Sequence, residues 1–280
     1  MLISERYVMW NPSELLSWGW SDHFERQCPT GAAVPARVLA EYPDRFLVQT
    51  PRGPRAAVLA GKLIASASRP VVGDWVVLRS GQDDPAVILR GLIRISALIR
   101  RGAVDRVAVG AATVSQVLAA NVDTVFIMTS CNQELNRARL ERILAMVWDS
   151  GATPVLLLNK ADLCPDAEKR AEELRLHHAG VEVFVLSALH GSGLLALSPL
   201  LQPGRTVCLI GSSGTGKTTL LNRLTGGSEK TASVRGDDDR GRHATTTRRL
   251  FRLAGGGLLL DTPGLREVGL LAGHANLDVV

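Results

Sequence analysis

The chain has few aromatic residues, no paired cysteines and no long apolar run. Phenylalanine, tryptophan and tyrosine make up 4% of its 280 residues. The four cysteines, Cys28, Cys131, Cys164 and Cys208, are far apart and form no Cys-x-x-Cys pair. This spacing predicts neither a disulfide scaffold nor a zinc site. No run of roughly 18 apolar residues occurs, so the sequence predicts no transmembrane helix.

The N-terminal segment lacks the features of an export signal. Residues 1–20 carry Glu5 and Glu14 and contain no basic segment followed by an apolar one. We therefore expect a cytoplasmic protein. The 46% hydrophobic content is sufficient for a buried core, and a chain of 280 residues is long enough for two domains.

The charge balance is mildly basic, with 32 lysines and arginines against 27 aspartates and glutamates. Residues 1–110 contain 14 lysines and arginines and 10 aspartates and glutamates, so most of the excess positive charge lies in the N-terminal part. Such an excess is compatible with RNA contact, and it is equally compatible with a role in solubility alone.

The N-terminal part is predicted to be a small barrel. Its short apolar segments are broken by turn residues and predict strands at 34–40, 44–50, 55–61, 71–79 and 85–90. The turns at 42–44 and 51–54 favour a closed sheet of the OB type. We expect an N-terminal extension over 1–33, an OB-fold barrel over 34–100, a linker over 101–113 and a second domain over 114–280.

The second part is predicted to be an α/β sheet, because apolar strands alternate there with helical patterns. Strands are predicted at 123–129, 154–158, 181–186, 206–210, 248–253 and 257–260. One helical stripe consists of Leu140, Ile143, Leu144 and Val147. A second helix is predicted to begin after Asp166 and to end before residue 180.

Residues 211–218 read Gly-Ser-Ser-Gly-Thr-Gly-Lys-Thr, between a strand and a helix, which is the context that a P-loop requires. Backbone amides of such a turn surround phosphate oxygens, Lys217 bridges the β- and γ-phosphates, and Thr218 offers a hydroxyl to Mg²⁺. Lys217 is thus also a candidate catalytic residue. The predicted phosphate-binding residues are Gly211, Ser212, Ser213, Gly214, Thr215, Gly216, Lys217, Thr218 and Thr219.

Two further motifs favour guanine over adenine. Asn159-Lys160-Ala161-Asp162 ends a strand, and the carboxylate of Asp162 can accept from the N1–H and the 2-amino group that adenine lacks. Ser187-Ala188 ends the next strand and can place a backbone amide at the 6-oxo oxygen. The predicted base-binding residues are Asn159, Lys160, Asp162, Ser187 and Ala188.

The segment after the P-loop is predicted to complete a magnesium site. Asp261 closes a strand and is expected to reach Mg²⁺ through water, while Gly264 offers its amide to the γ-phosphate. Loop 240–247 resembles a switch loop. Thr245 is the first choice there for the metal shell, with Thr246 and Thr247 as alternatives.

The water-positioning residue is predicted to be unusual. Many GTPases have a glutamine directly after the Asp-x-x-Gly turn, but Leu265 occupies that place and cannot hydrogen-bond water. The nearest side chain that can donate and accept is His243, which is the candidate catalytic residue.

The motifs also follow an unusual order, because the base-reading half precedes the P-loop. This order predicts a P-loop NTPase of the α/β class whose G domain is circularly permuted. With these motifs in this order, the sequence resembles the ribosome small-subunit-dependent GTPases called RsgA or YjeQ. The resemblance covers residues 16–20, 70–76, 116–123 and the motifs up to residue 267.

The resemblance implies GTP hydrolysis stimulated by the small (30S) ribosomal subunit, a role in its late maturation, an OB-fold domain that contacts 16S rRNA, and a catalytic histidine at His243. The candidate RNA contacts in the basic stretch are Arg94, Arg100 and Arg101. Family members usually carry a C-terminal zinc module, whose Cys/His ligands we expect to be absent here. We also expect a monomer without membrane contact.

Two other functions remain open at this point. The chain is alternatively an RNA-binding module whose nucleotide site acts as a switch with little catalysis. A P-loop protein that uses ATP is the second alternative, although it leaves Asp162 without a role.

Overall fold

The computed structural model describes residues 11, 13–28, 33–64, 69–81, 84–101, 115–131, 136–226 and 248–261. Three short helices, α1 (Ser13–Leu16), α2 (Asp22–Glu25) and α3 (Gly61–Ile64), accompany the N-terminal strands. None of the helices in these ranges is long and apolar enough to cross a membrane.

Five strands form a closed barrel near the N-terminus, as the short apolar segments and turn residues predict. They are β1 (Ala33–Glu41), β2 (Phe46–Thr50), β3 (Gly53–Leu59), β4 (Trp75–Arg79) and β5 (Ala86–Gly91). The order β1-β2-β3-β5-β4 is closed by antiparallel pairing of β4 with β1. Side chains on one face of each strand fill the interior, among them Val38, Phe46, Val76 and Ile88. Closure removes free strand edges from the barrel.

A two-stranded sheet, which the sequence did not predict, follows the barrel. It pairs β6 (Ala97–Arg101) with β7 (Ser115–Ala120) in antiparallel fashion. The basic residues at positions 100 and 101 interrupt the apolar pattern by which strand β6 could have been predicted. Its partner begins 14 residues later, so no tight turn signals the pairing.

The C-terminal part is the predicted α/β sheet. Its strands are β8 (Thr124–Ser130), β9 (Thr153–Asn159), β10 (Glu182–Val185), β11 (Thr206–Gly211), β12 (Arg249–Arg252) and β13 (Leu258–Asp261). Its helices are α4 (Arg137–Asp149), α5 (Ala167–His177) and α6 (Lys217–Leu224). The strand order is β10-β9-β8-β11-β13-β12, parallel throughout except for β12.

Helix α4 confirms the predicted apolar stripe. Leu140, Ile143, Leu144 and Val147 are all buried and pack in the core against the sheet. The helix begins where the side chain of Asn136 accepts a hydrogen bond from the third amide beyond it. Helix α4 therefore packs against β9, the strand that ends at Asn159.

The α/β sheet joins the barrel through the C-terminal part of β1, beyond the pairing of β1 with β4. Strand β12 pairs antiparallel with β1, with Ala40 opposite Arg249, so that eleven strands form one continuous sheet. The nucleotide-binding strands predicted from the sequence and the barrel are therefore hydrogen-bonded neighbours rather than separate bodies.

A buried arginine strengthens the same junction. Arg37 of β1 is 1% exposed and donates to the carbonyls of Trp18, Gly73 and Asn121 and to the hydroxyl of Thr206. Burial lowers the pKa of Arg37 to about 10, although nearby carboxylates oppose that shift. One side chain thus connects the N-terminal segment, the barrel and the first residue of β11.

Candidate functional site

The predicted motifs lie at one edge of the α/β sheet. Strands β9, β11 and β13 end at Asn159, Gly211 and Asp261, and β10 ends two residues before Ser187. Because these strands are parallel, their carboxyl ends meet at the same edge. In open α/β sheets this is the edge at which ligands bind.

The P-loop is a tight turn between β11 and α6. The hydroxyl of Thr215 donates to the carbonyl of Ser212 at 2.9 Å, and the Lys217 ammonium donates to that same carbonyl. Lys217 is only 9% exposed. Residues 211–216 form the strand end and the turn, and Lys217, Thr218 and Thr219 form the first turn of α6. The residues predicted to bind phosphate are therefore contiguous around one helix N-terminus.

Two glycines of the turn are required by close packing. A Cβ on Gly211 would lie 2.4 Å from the carbonyl oxygen of Met128 on β8. A Cβ on Gly216 would lie 2.3 Å from the side-chain nitrogen of Asn159, and Gly216 has a φ of +95°. Any larger residue at either position would displace the loop from its neighbouring strand.

Asn159 connects the predicted phosphate-binding turn to the segments that are predicted to bind the base. Its Nδ2 donates to the carbonyl of Thr215 at 2.7 Å, and its Oδ1 accepts from the amide of Ala188 at 2.8 Å. The side chain is buried, with 2% exposure. The structure thus brings Asn159, Ala188 and the P-loop into direct contact, although 56 residues separate Asn159 from Thr215.

Asp162 lies beside the loop that follows β10. The hydroxyl of Ser187 donates to Asp162 Oδ1, and Nε2 of His190 lies 3.9 Å from Oδ2. The hydrogen bond from Ser187 holds the pKa of the Asp162 carboxyl below its usual value of 3.8, with smaller contributions from His190 and Lys160. The carboxylate is therefore ionised at neutral pH, as an acceptor for two base N–H groups must be.

Lys160 adopts a left-handed backbone conformation, with a φ of +64°, directly before the short 3₁₀ helix that carries Asp162. This turn directs the chain away from β9 within one residue. Non-glycine residues rarely adopt this conformation, and such strain is concentrated at functional sites. Lys160 and Asp162 consequently lie at the carboxyl end of β9, before helix α5 begins.

The residues predicted to hold magnesium lie at this edge as well. Thr218 is the second residue of α6 and is exposed, and Asp261 is the last residue of β13, the strand next to β11. A hydroxyl and a carboxylate are oxygen donors of the kind that Mg²⁺ prefers. The described residues contain no group of three His, Cys, Asp or Glu side chains that could hold a metal. That is compatible with Mg²⁺ at a P-loop, where substrate phosphates and water supply most of the ligands.

Other predicted site residues are outside the part of the chain that the structure describes. These are His243, Thr245, Thr246, Thr247 and Gly264. Their roles stay predictions.

The candidate RNA contacts differ in their surroundings. Arg94 forms a two-bonded ion pair with the buried Asp74, in which both N–O distances are 2.7 Å. This hydrogen bonding raises the pKa of Arg94. Arg100 donates to the side chain of Gln116 at 3.0 Å, and Arg101 ends β6. A phosphate would have to compete with Asp74 for Arg94, so its RNA contact stays a prediction that the ion pair opposes.

Two residues at the site were missed in the sequence, namely His190 and Arg223. His190 faces Asp162, and Arg223 of α6 donates to the carbonyls of Ala188 and Leu189. The only signal for His190 is its position two residues after Ser187-Ala188. No sequence pattern indicates the role of Arg223, because only the folded chain brings it into contact with Ala188 and Leu189.

Comparison with known proteins agrees with this geometry. Residues 94–271 match the model of the family described as RsgA GTPase. A small ribosomal subunit biogenesis GTPase RsgA from Methanosarcina acetivorans is 43% identical over 255 residues, which are 90% of this chain and 68% of that protein. The protein of the same name from Opitutus terrae is 44% identical over 268 residues, covering 91% of this chain and 73% of that protein.

Solved structures show the same fold. YjeQ from Thermotoga maritima superposes with a TM-score of 0.64 at 23% identity, covering 84% of this chain and 76% of that one. YloQ, described as a circularly permuted GTPase, gives a TM-score of 0.58 at 19% identity, covering 82% and 71%. The family model, the curated relatives and the permuted strand order agree, and the chain belongs to the RsgA GTPase family.

Proposed function

We propose that this chain binds GTP and GDP with Mg²⁺, hydrolyses GTP, and acts in the late maturation of the small ribosomal subunit. The observation that carries the nucleotide site is the side chain of Asn159, which hydrogen-bonds the P-loop on one side and the base-reading loop on the other. The ribosomal role rests on family membership and on the names of the curated relatives.

The phosphate half of the site uses the turn at 211–216 and the N-terminus of α6. Backbone amides and the helix dipole attract the phosphate oxygens. With a nucleotide bound, Lys217 would exchange the carbonyl of Ser212 for the β- and γ-phosphates, and Thr218 would offer its hydroxyl to Mg²⁺. Asp261 would help to hold the same ion. When bound, Mg²⁺ would supply positive charge beside the phosphates.

The base half of the site uses the carboxylate of Asp162 for the N1–H and 2-amino group of guanine. Ser187 orients this carboxylate, and the loop that contains Ala188 places a backbone amide at the 6-oxo oxygen. Lys160 flanks the base. An adenine base would leave the Asp162 carboxylate without both donors, which is the physical basis of selectivity.

His243 would position the catalytic water, and Thr245 would be a further ligand of Mg²⁺, with Thr246 and Thr247 as alternatives. The amide of Gly264 contacts the γ-phosphate. These roles follow from the sequence motifs and from family resemblance. Hydrolysis by this scheme needs no glutamine after the Asp-x-x-Gly turn.

The barrel is proposed to contact 16S rRNA of the small subunit. Arg100 and Arg101 are its candidate phosphate contacts, and Arg94 contributes only if the ion pair with Asp74 opens. We propose domain limits at 34–100 for the barrel and 114–280 for the G domain, with an extension over 1–33 and a linker over 101–113. The chain is proposed to act as a cytoplasmic monomer.

The decisive experiment measures GTP hydrolysis with and without purified small ribosomal subunits. We expect slow hydrolysis by the chain alone and a clear increase with subunits. In parallel, Asp162→Asn should lose GDP affinity and gain affinity for xanthosine diphosphate. Equal affinity of the unaltered chain for ADP and GDP would disprove guanine recognition. Absence of stimulation would leave the chain as a nucleotide-binding protein without the proposed ribosomal role.

A further inference from the structure

Arg223 makes a specific contact that the known motifs do not include. It lies on α6 and donates from Nε to the carbonyl of Ala188 at 3.4 Å and from its terminal nitrogen to the carbonyl of Leu189. The ideal Cβ position of Gly191 lies 3.7 Å from the guanidinium carbon of Arg223. The side chain of Arg223 thus lies against Ala188, Leu189 and Gly191. We call residues 187–191 the base loop.

The opposite side of the base loop faces the base-reading groups. The amide of Ala188 already donates to Asn159, and the hydroxyl of Ser187 donates to Asp162. Within the described part of the chain, the amide of Leu189 donates to no protein acceptor. It is therefore the amide of this loop that is free to meet a ligand oxygen, and its own carbonyl is the group that Arg223 holds.

The location of Arg223 connects this loop to the phosphate site. Helix α6 begins at Lys217, and Arg223 follows on the same helix less than two turns later. A short helix is rigid over this length, so displacement of its N-terminus moves the guanidinium with it. The guanidinium is also suited to the task, because its planar fork can bond two neighbouring carbonyls at once.

We infer that Arg223 is a positioning residue for base recognition, which holds the amide of Leu189 toward the 6-oxo oxygen of guanine and fixes the base loop to the helix that binds the phosphates. The inference rests on the proposed function, because it requires a guanine nucleotide in this site. Arg223 itself touches neither base nor phosphate.

The test compares three ligands on the unaltered chain and on Arg223→Gln. The ligands are GDP, pyrophosphate, which occupies only the phosphate half, and 6-thio-GDP, in which sulfur is a poor acceptor for the Leu189 amide. We expect Arg223→Gln to weaken GDP by about tenfold and to leave pyrophosphate unchanged, since lost hydrogen bonds to charged donors have effects of this size. The affinity ratio of GDP to 6-thio-GDP should fall toward one.

Two further variants make the result specific. Arg223→Lys keeps the charge but cannot bond both carbonyls equally, so it should recover only part of the GDP affinity. Arg69→Gln is the matched control, because Arg69 also bonds two consecutive carbonyls, those of Tyr42 and Pro43, in the barrel. Its GDP affinity should equal that of the unaltered chain.

Parallel loss of GDP and pyrophosphate affinity in Arg223→Gln would overturn the inference, because a general structural defect affects both. An unchanged ratio of GDP to 6-thio-GDP would overturn it as well. These outcomes are separate from failure of the proposed function, which would show as equal affinity of the unaltered chain for GDP and ADP.

Discussion

Replacement of Asn159 by alanine tests the contact on which the nucleotide site depends. The buried amide of Asn159 makes hydrogen bonds of 2.7 and 2.8 Å, to the carbonyl of Thr215 and from the amide of Ala188. Alanine leaves both backbone groups without this partner, and each buried polar group that loses its partner costs roughly 1–3 kcal/mol. Because the loops can relax, we expect the free energy of unfolding to fall by about 2–4 kcal/mol.

The measurement is urea-induced unfolding without nucleotide, followed by circular dichroism, together with titration of fluorescent GDP. GDP affinity should fall as well, since the two halves of the site no longer hold each other. Asn222→Ala is the control, because the side chain of this exposed asparagine of α6 makes no hydrogen bond to the residues that the structure describes. If Asn159→Ala changes neither stability nor GDP affinity beyond this control, the bridging role of Asn159 is refuted.

Three further outcomes are expected. Arg37→Lys should lower the free energy of unfolding by about 2–4 kcal/mol in the same assay, because an ammonium cannot reach all four acceptors while its charge stays buried; an unchanged unfolding midpoint would contradict this. Gly216→Ala should weaken GDP at least about tenfold by titration, and clearly more than Gly214→Ala, whose added Cβ meets nothing within 4 Å; equal effects would exclude a role for the close packing. Because the pKa of Asp162 lies below its usual value of 3.8, its carboxylate stays ionised above that pH, whereas the phosphates of GDP and ADP titrate alike. The ratio of GDP to ADP affinity of His190→Gln should therefore be constant from about pH 8 to about pH 5, and a marked fall in this ratio at the acidic end would show that Asp162 titrates there.

The strands of the barrel and of the α/β sheet could be predicted because their signals are local. Short apolar segments and turn residues indicate β1 to β5, and apolar strands that alternate with helical patterns indicate β8 to β13. The pairing of β6 with β7 could not be predicted, because neither strand shows a strong pattern and their contact spans an intervening segment. Sequence periodicity predicts which face of a strand is buried, but it does not predict which other strand pairs with it.

The site was predictable where motif residues carry the chemistry. The P-loop, Asn159 and Asp162 have types and spacings that the chemistry demands, and the structure places them at one edge of one sheet. Arg94 shows the limit of such reasoning. A basic stretch suggests phosphate contacts, but the buried carboxylate that bonds Arg94 lies 20 residues earlier in the chain, and only the folded barrel brings the two together.

The junction at Arg37 determines how a large partner meets this protein. The barrel surface and the nucleotide edge cannot turn independently, because a shared sheet and a buried guanidinium hold them in one orientation. Any assembly that touches both surfaces therefore encounters a preorganised pair of contacts. Once the first contact has formed, the second is already within reach at high effective concentration, with little orientational freedom left to lose.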